Sequence, residues 1–235
     1  MTQAHCEWGL AGLQALRERC AVVVVVDVLS FCTAVDVAVT RGARIWPFAH
    51  GDEAAAAAEA ARVGAVLAAR RRSGLQLSLS PASLARVEPG ASVLLPSPNG
   101  SRLSLEGEGR PVLAGCLRNA GAVARAALRL AGGGDIAVIP AGERWPDGSL
   151  RPAVEDLIGA GAVIDRLGVA ASAEAKVARE AFAAAQGSGL AERLRDCLSG
   201  RELIGRGFAQ DVEIAAELDV SRTAPLLQGG AYAQA

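Results

Sequence analysis

Asp27 is the first residue whose type and setting suit chemistry. It follows five consecutive valines, Val22 to Val26. A β-branched run that is apolar on both faces, and too short to cross a bilayer, reads as a strand buried in mid-sheet. A carboxylate at the end of such a strand is costly unless a metal, a basic group or hydrogen bonds hold it. The carboxyl ends of strands are also where open α/β sheets bind ligands. Asp27 therefore either carries chemistry or caps the next helix and accepts loop N–H groups.

Other polar residues close later apolar runs. Asn99, Gly100, Ser101 and Arg102 follow the run at 92–97, Arg118 and Asn119 follow 111–114, and Glu143 follows 135–140. If these strands are parallel, their ends share one edge of the sheet and the residues converge. The stretches 98–101, with N–H groups from Asn99 onward, and 115–119 are candidate anion nests, with Arg102 and Arg118 adding charge-assisted bonds to a phosphate, sulfonate or carboxylate. A turn or helix-cap role is the plainer reading for Asn99 and Asn119. Neither stretch is a Walker loop, since the one lysine, Lys176, lies in a helical pattern. Glu155 and Asp156 are adjacent, hence about 100° apart on a helix, so one can face the sheet edge while the other meets solvent. Composition alone favours solvated charges there and at Asp211, Glu213 and Asp219. Cys32 and Cys116 follow strand ends but read as small core residues rather than thiolate nucleophiles.

The elements that must position these residues form an alternating pattern. After the valine strand come a helix over 33–41 with Gly42 as its stop, a strand over 43–48, a helix from the Asp52 cap to Val63 ended by Gly64, and a short strand over 65–69. A polar loop, 70–80, leads to Ser80-Pro81 as cap and first helical residue. A turn at 88–91 precedes strand 92–97. Strand 111–114, a helix to Ala131 and strand 135–140 follow, then helices over 151–167, 173–185, 190–198 and 211–218. The pattern fades through Pro225 and Gly229-Gly230. This predicts one α/β domain: a mainly parallel or mixed central sheet flanked by helices, with a helix-rich C-terminal third.

Composition narrows the functions. The chain has 235 residues, 51% of them hydrophobic and only 3% aromatic, so its core is expected to be aliphatic, with small residues admitting helices close to the sheet. A net charge of −1 leaves no footprint for nucleic acid or an anionic membrane surface. The Arg70–Arg72 run reads as a solvated loop. Five widely spaced cysteines do not make a disulfide framework, and His5 and His50 are too few for a histidine-rich zinc or iron centre, so any metal should be a hard, oxygen-liganded one such as Mg²⁺. With no signal-like N-terminus and no run of spanning length, a cytoplasmic protein is expected, its partner a small anionic substrate, with a homodimer allowed for.

Read together, the elbows resemble the 2-phosphosulfolactate phosphatases of the ComB type. The similar segments, in family order, are VVVVVDVLSFCTAV, SLSPASL, PSPNGSRLS, AGCLRNAGAVA, IPAGERWPDGSLRPAVEDLIGAGAVIDRL and SGRELIGRGFAQDVEIAAELDVSRTAPLL. The resemblance implies a Mg²⁺-dependent α/β phosphatase that hydrolyses 2-phosphosulfolactate or a related phospho-hydroxy acid. It maps Asp27, Ser80, Asn99, Gly100, Arg102, Asn119, Glu143, Glu155, Asp156 and Asp211 onto polar family positions. Asp27 and Glu143 are then the expected catalytic pair. Asp27, Glu155 and Asp156 are the expected metal ligands, and Ser80, Asn99 to Arg102, Arg118 and Asn119 the substrate-binding set. The chain departs from the family at Ser30, where an arginine is usual, and over 69–80, where a Gly-Glu-Arg and a Gly-Phe-Asp are replaced. The alternative expectation is a catalytically weakened relative that binds a small anion or serves as an assembly partner.

Overall fold

The computed structural model describes residues 1–49, 52–69 and 76–235. His50 and the Arg70–Arg72 run lie outside the described residues.

The chain opens with β1 (Gln3–Cys6), α1 (Gly9–Leu16), β2 (Val22–Val26), α2 (Phe31–Thr40), β3 (Arg44–Ala49), α3 (Glu53–Val63) and β4 (Val66–Leu67). It continues through α4 (Pro81–Leu84), β5 (Ser92–Ser97), α5 (Gly100–Glu106), β6 (Val112–Gly115), a 3₁₀ turn (Leu117–Asn119), α6 (Ala120–Ala131) and β7 (Ile136–Pro140). The small hairpin β8 (Glu143–Arg144) and β9 (Leu150–Arg151) precedes α7 (Val154–Leu167) and β10 (Ala170–Ala171). Helices α8 (Ala173–Ser188), α9 (Leu190–Asp196), α10 (Leu198–Gly205) and α11 (Ala209–Ala216) lead to a final hairpin, β11 (Pro225–Gln228) and β12 (Ala231–Gln234).

The large sheet has the order β10-β1-β7-β2-β6-β11-β12-β3-β5-β4. All five valines of β2 are buried. Val22, Val24 and Val26 enter the core under α6, α7 and α8, while Val23 and Val25 enter the core shared with α1, α2 and α5. That alternation is the two-residue period of a strand covered on both faces. A small third cluster, Ala56, Ala60 and Leu94 with Trp46 and Phe48, lies under α3. Small residues do bring helices close: a Cβ added to Gly161 of α7 would stand 2.0 Å from the Ala178 carbonyl oxygen of α8.

Strands β10, β1, β7, β2 and β6 run parallel, as do β3, β5 and β4. The two sets are joined by the antiparallel hairpin β11–β12, which pairs with β6 on one side and β3 on the other. The reading that pattern fades after Pro225 is thus corrected: the tail is the seam of the sheet. β1, α1, α5 and the β8–β9 hairpin are further elements the sequence reading left out. Among the described residues no helix is long and apolar enough to cross a membrane.

Candidate active site

The parallel neighbours β7, β2 and β6 bring the loops after Pro140, Val26 and Gly115 to one edge of the sheet. At that edge Asp27 is buried at 7% exposure. Its Oδ1 accepts from the Phe31 N–H at 3.0 Å and its Oδ2 from the Gly100 N–H at 3.0 Å. The reading of Asp27 as an acceptor of loop N–H groups at the start of α2 is thus met, and the residue also lines a cavity. The following Leu29–Ser30 peptide is cis.

Gly100 arrives from a strand of the other set. Three antiparallel pairings lie between β2 and β5, so a shared edge alone does not bring the loop after β5 here. Twist of about 20–25° per strand over five steps turns opposed strands into crossing ones, and α5 is carried across β2. The approach demands glycine: a Cβ at 100 would lie 2.3 Å from the Phe31 ring and 2.7 Å from Asp27 Oδ2.

Asn99 is the hub of the site. Its Nδ2 donates to Glu143 Oε2 at 2.8 Å, and its Oδ1 accepts from Arg144 Nε at 3.4 Å. Burial first, and then the neighbouring Asp27 charge, push the Glu143 carboxyl up from 4.5 to about 7, with the Asn99 bond and Arg151 pulling the other way. Arg151 faces Glu143 in the β8–β9 pairing. It is buried, donates to Ser199 Oγ at 3.2 Å, and its guanidinium sits 5.8 Å from the centre of the Trp145 ring.

Glu155 and Asp156 are both buried, at 2% and 3% exposure, which corrects the expectation of solvated charges. The reason is a pair of backbone donors far away in sequence. Asp156 Oδ1 accepts from the Val28 N–H at 2.7 Å and Oδ2 from the Gly142 N–H at 2.9 Å, so α7 ties the loops after β2 and β7 together. Burial, then Asp27 and Glu155, hold the Asp156 carboxyl well above the usual range. Glu155 faces Cys197, whose thiol is pushed up to about 12, chiefly by burial. Asp211 is likewise buried, accepting from Ser80 Oγ at 2.5 Å and the Ala82 N–H at 3.2 Å, whereas Glu213 stays exposed against Arg195 and Asp219 holds the Gly121 N–H and Arg166.

Two cavities meet at Asn99 and Glu143. The first, about 180 Å³, is lined by Asp27, Ser30, Leu79, Ser97 and, from α10, Ser199, Glu202 and Arg206. The second, about 220 Å³, is lined by Trp8, Leu10, Arg102, Arg144 and Leu150 among others. Asp27, Asn99, Gly100, Arg102 and Glu143 are thus brought together, with Ser80 one residue from the wall at Leu79.

Ser101, Arg118 and Asn119 line neither cavity. Ser101 is buried and donates to the Leu95 carbonyl. Arg118 pairs with Asp36 at 3.0 Å and with Glu217. The Asn119 side chain accepts from the Cys116 N–H and donates to the Ala114 carbonyl. Cys32 and Cys116 are free and buried. Trp8, Arg144, Arg151, Ser199 and Arg206 were not singled out from the sequence. All but Trp8 lie in family-like segments, Arg144 and Arg151 in IPAGERWPDGSLRP and Ser199 and Arg206 in SGRELIGRGF, the one available signal for them.

The donor chemistry fits a hard cation. Among the described residues no three Asp, Glu, His or Cys side chains close on one point. Mg²⁺ needs less, one or two carboxylates completed by water and substrate oxygens. Asp27, although both of its oxygens accept backbone N–H groups, and Glu143 line the first cavity, whereas Glu155 and Asp156 line neither.

Two comparisons with known proteins point to one family. Residues 12–230 match the model of the 2-phosphosulpholactate phosphatase family. A protein of Carboxydothermus hydrogenoformans described as a probable 2-phosphosulfolactate phosphatase is 32% identical over 210 residues, covering 86% of this chain and 84% of its own length. A match that leaves out only β1, the start of α1 and β12 makes this chain a member of the 2-phosphosulpholactate phosphatase family.

Proposed function

We propose that the chain is a Mg²⁺-dependent phosphomonoesterase acting on a small phosphorylated acid, 2-phosphosulfolactate or a related phospho-hydroxy acid. The observation that carries this reading is the cavity in which Asp27, Asn99 and Glu143 meet at the carboxyl end of β2. Asp27 and Glu143 would hold Mg²⁺, which when bound neutralises charge on the phosphoryl oxygens. With both oxygens fixed by backbone N–H groups, Asp27 is set as a stationary anion, which suits a ligand better than an attacking group. Burial and the Asp27 charge raise the free Glu143 carboxyl to about 7, so binding Mg²⁺ there would release its proton. The Asn99 amide keeps that carboxyl in place, and Arg206 and Arg102 supply positive charge for the acidic groups of the substrate.

The test is hydrolysis of 2-phosphosulfolactate by the purified protein with Mg²⁺ or with EDTA. Phosphate release that EDTA abolishes, and that Asp27→Asn lowers by about 100-fold or more, is expected, because charge stabilisation of the transition state is usually the largest single contribution. Turnover unchanged in Asp27→Asn would overturn the assignment. An acyl-phosphate trapped on Asp27 would replace the water route with direct attack.

A further inference from the structure

Part of the first cavity's wall does not belong to the sheet edge. Leu79 comes from the loop before α4, and Ser199, Glu202, Leu203 and Arg206 come from α10 and its end. Neither piece lies on a sheet strand, so other contacts must hold them opposite Asp27. One buried carboxylate reaches both. Asp211 of α11 is 1% exposed, and its Oδ1 accepts from Ser80 Oγ at 2.5 Å and from the Ala82 N–H at 3.2 Å. Ser80 follows Leu79 directly and caps α4 by accepting from the Ser83 N–H at 3.4 Å, while Ser83 Oγ donates back to the Ser80 carbonyl at 2.8 Å. On the other side, the Phe208 N–H donates to the Leu203 carbonyl at 2.9 Å, and the Asp211 N–H donates to the Phe208 carbonyl at 3.1 Å. Two backbone bonds therefore separate Asp211 from a wall residue of α10. The start of α10 is held by Arg151 at Ser199 Oγ. This helix buries Ser199, Gly200 and Leu203 and leaves Leu198 and Ile204 exposed, so little apolar packing fixes its place and the buried polar ties weigh more.

We propose that Asp211 is a positioning residue: through Ser80 on one side and Phe208 on the other it sets the spacing between Leu79 and α10, and so fixes where Arg206 stands at the first cavity. Ser80 then serves as the anchor of this tie and not as a group that touches the substrate. The inference rests on the phosphatase reading for what fills the cavity. It makes substrate binding, rather than the chemistry at Asp27, the quantity that Asp211 governs. Arg206 is the positive charge that α10 brings, whereas Asp27 is held by the Phe31 and Gly100 N–H groups and Glu143 by Asn99.

The test has two readouts on the full-length protein: kinetics with 2-phosphosulfolactate and Mg²⁺, and limited trypsin digestion without substrate. Asp211→Ala is compared with Ser80→Ala, a milder variant that leaves the Ala82 bond in place, both at a temperature where they remain folded. Asp211→Ala should raise KM about tenfold and change kcat less than about threefold, because it removes binding shared by the ground and transition states. Cleavage after exposed Arg201 and Arg206 should speed about tenfold as α10 opens more often, while cleavage after exposed Arg62 of α3 keeps its wild-type rate. Ser80→Ala should shift both readouts the same way by less, and the double variant should match Asp211→Ala, because the two side chains share one bond. An unchanged KM or an unchanged cleavage rate at α10 in Asp211→Ala would overturn the proposal. So would equal acceleration at Arg62, which marks a global loss of stability, or effects of the two substitutions that add in full, which mark Ser80 as a substrate contact. The phosphatase reading fails on a different result, the lack of Mg²⁺-dependent hydrolysis by the wild type, and the digestion still reads the tie.

Discussion

At the scale of single residues, the site depends on a close approach and on crowded carboxylates. Gly100 can give its N–H to Asp27 only because it has no side chain, and a methyl group there meets the Phe31 ring and Asp27 Oδ2 at once. Gly100→Ala is expected to cost about 1–3 kcal/mol of stability as the neighbours shift and to lower kcat by displacing Asp27. Denaturant midpoints and phosphate release check both; an alanine variant with native stability would contradict the geometry. The carboxylates give a second prediction. Glu143 is raised from 4.5 to about 7, and Asp156 is raised well above its ordinary value. A carboxyl whose folded pKa is raised binds protons that the unfolded chain releases, so its contribution is complete below the unfolded value and is lost as pH rises through the folded one. In EDTA, stability should therefore fall between pH 4.5 and about 7. Glu143→Gln should flatten that slope, and added Mg²⁺ should restore stability above neutrality by binding the folded state. Equal slopes for wild type and variant would rule out Glu143 as a source.

At the scale of elements, what was legible in the sequence was what is locally determined. The helix over 53–63 begins where Asp52 accepts from the Ala55 N–H at 2.6 Å and stops at Gly64 in the left-handed region, so its cap and stop lie within the segment itself. Strands β2, β5 and β7 were legible for the same reason, since their apolar runs are bounded by turn residues. The burial of Asp156 was not, because the N–H groups that satisfy it belong to Val28 and Gly142, 128 and 14 residues away. Arg118 shows the same limit. Its position after a strand suggested an anion site, but the middle of α2 presents Asp36, fully buried and bonded to Ser221 Oγ at 2.6 Å, and the guanidinium is drawn there. Burial raises the Asp36 carboxyl, while Ser221 and then Arg118 hold it down. Removing one partner of a buried pair leaves an uncompensated charge, so Arg118→Ala should cost about 3–5 kcal/mol. Asp36→Asn in the same chain should recover part of that loss. A double variant no more stable than Arg118→Ala would show that the pair is not coupled.

At the scale of the whole molecule, the C-terminal hairpin joins two parallel sets that could otherwise bury their inner edges only against solvent. Nothing in Pro225 to Gln234 announces this, because four-residue strands around Gly229-Gly230 carry too few alternations to identify, and their partners Leu113 and Ile45 lie more than 100 residues earlier. Tyr232 is the residue on which the joint turns. It is fully buried between the two sets, its hydroxyl donates to Ser104 Oγ of α5 at 2.7 Å, and its ring meets Phe31 edge-on with centroids 6.1 Å apart. Phe31 in turn gives its N–H to Asp27, so the seam supports the edge that carries Asp27 through one aromatic contact. Tyr232→Phe loses only the hydroxyl bond and should cost about 1 kcal/mol, with activity retained, because the ring still supports Phe31. Tyr232→Ala opens a large cavity at the seam and should cost about 3–5 kcal/mol. If the seam positions Asp27, the alanine variant should also lose kcat under conditions where it remains folded, while the phenylalanine variant does not. Urea unfolding followed by far-ultraviolet dichroism alongside phosphate release separates the two effects, and a folded Tyr232→Ala protein with full kcat would show that the seam holds the molecule together without reaching the site.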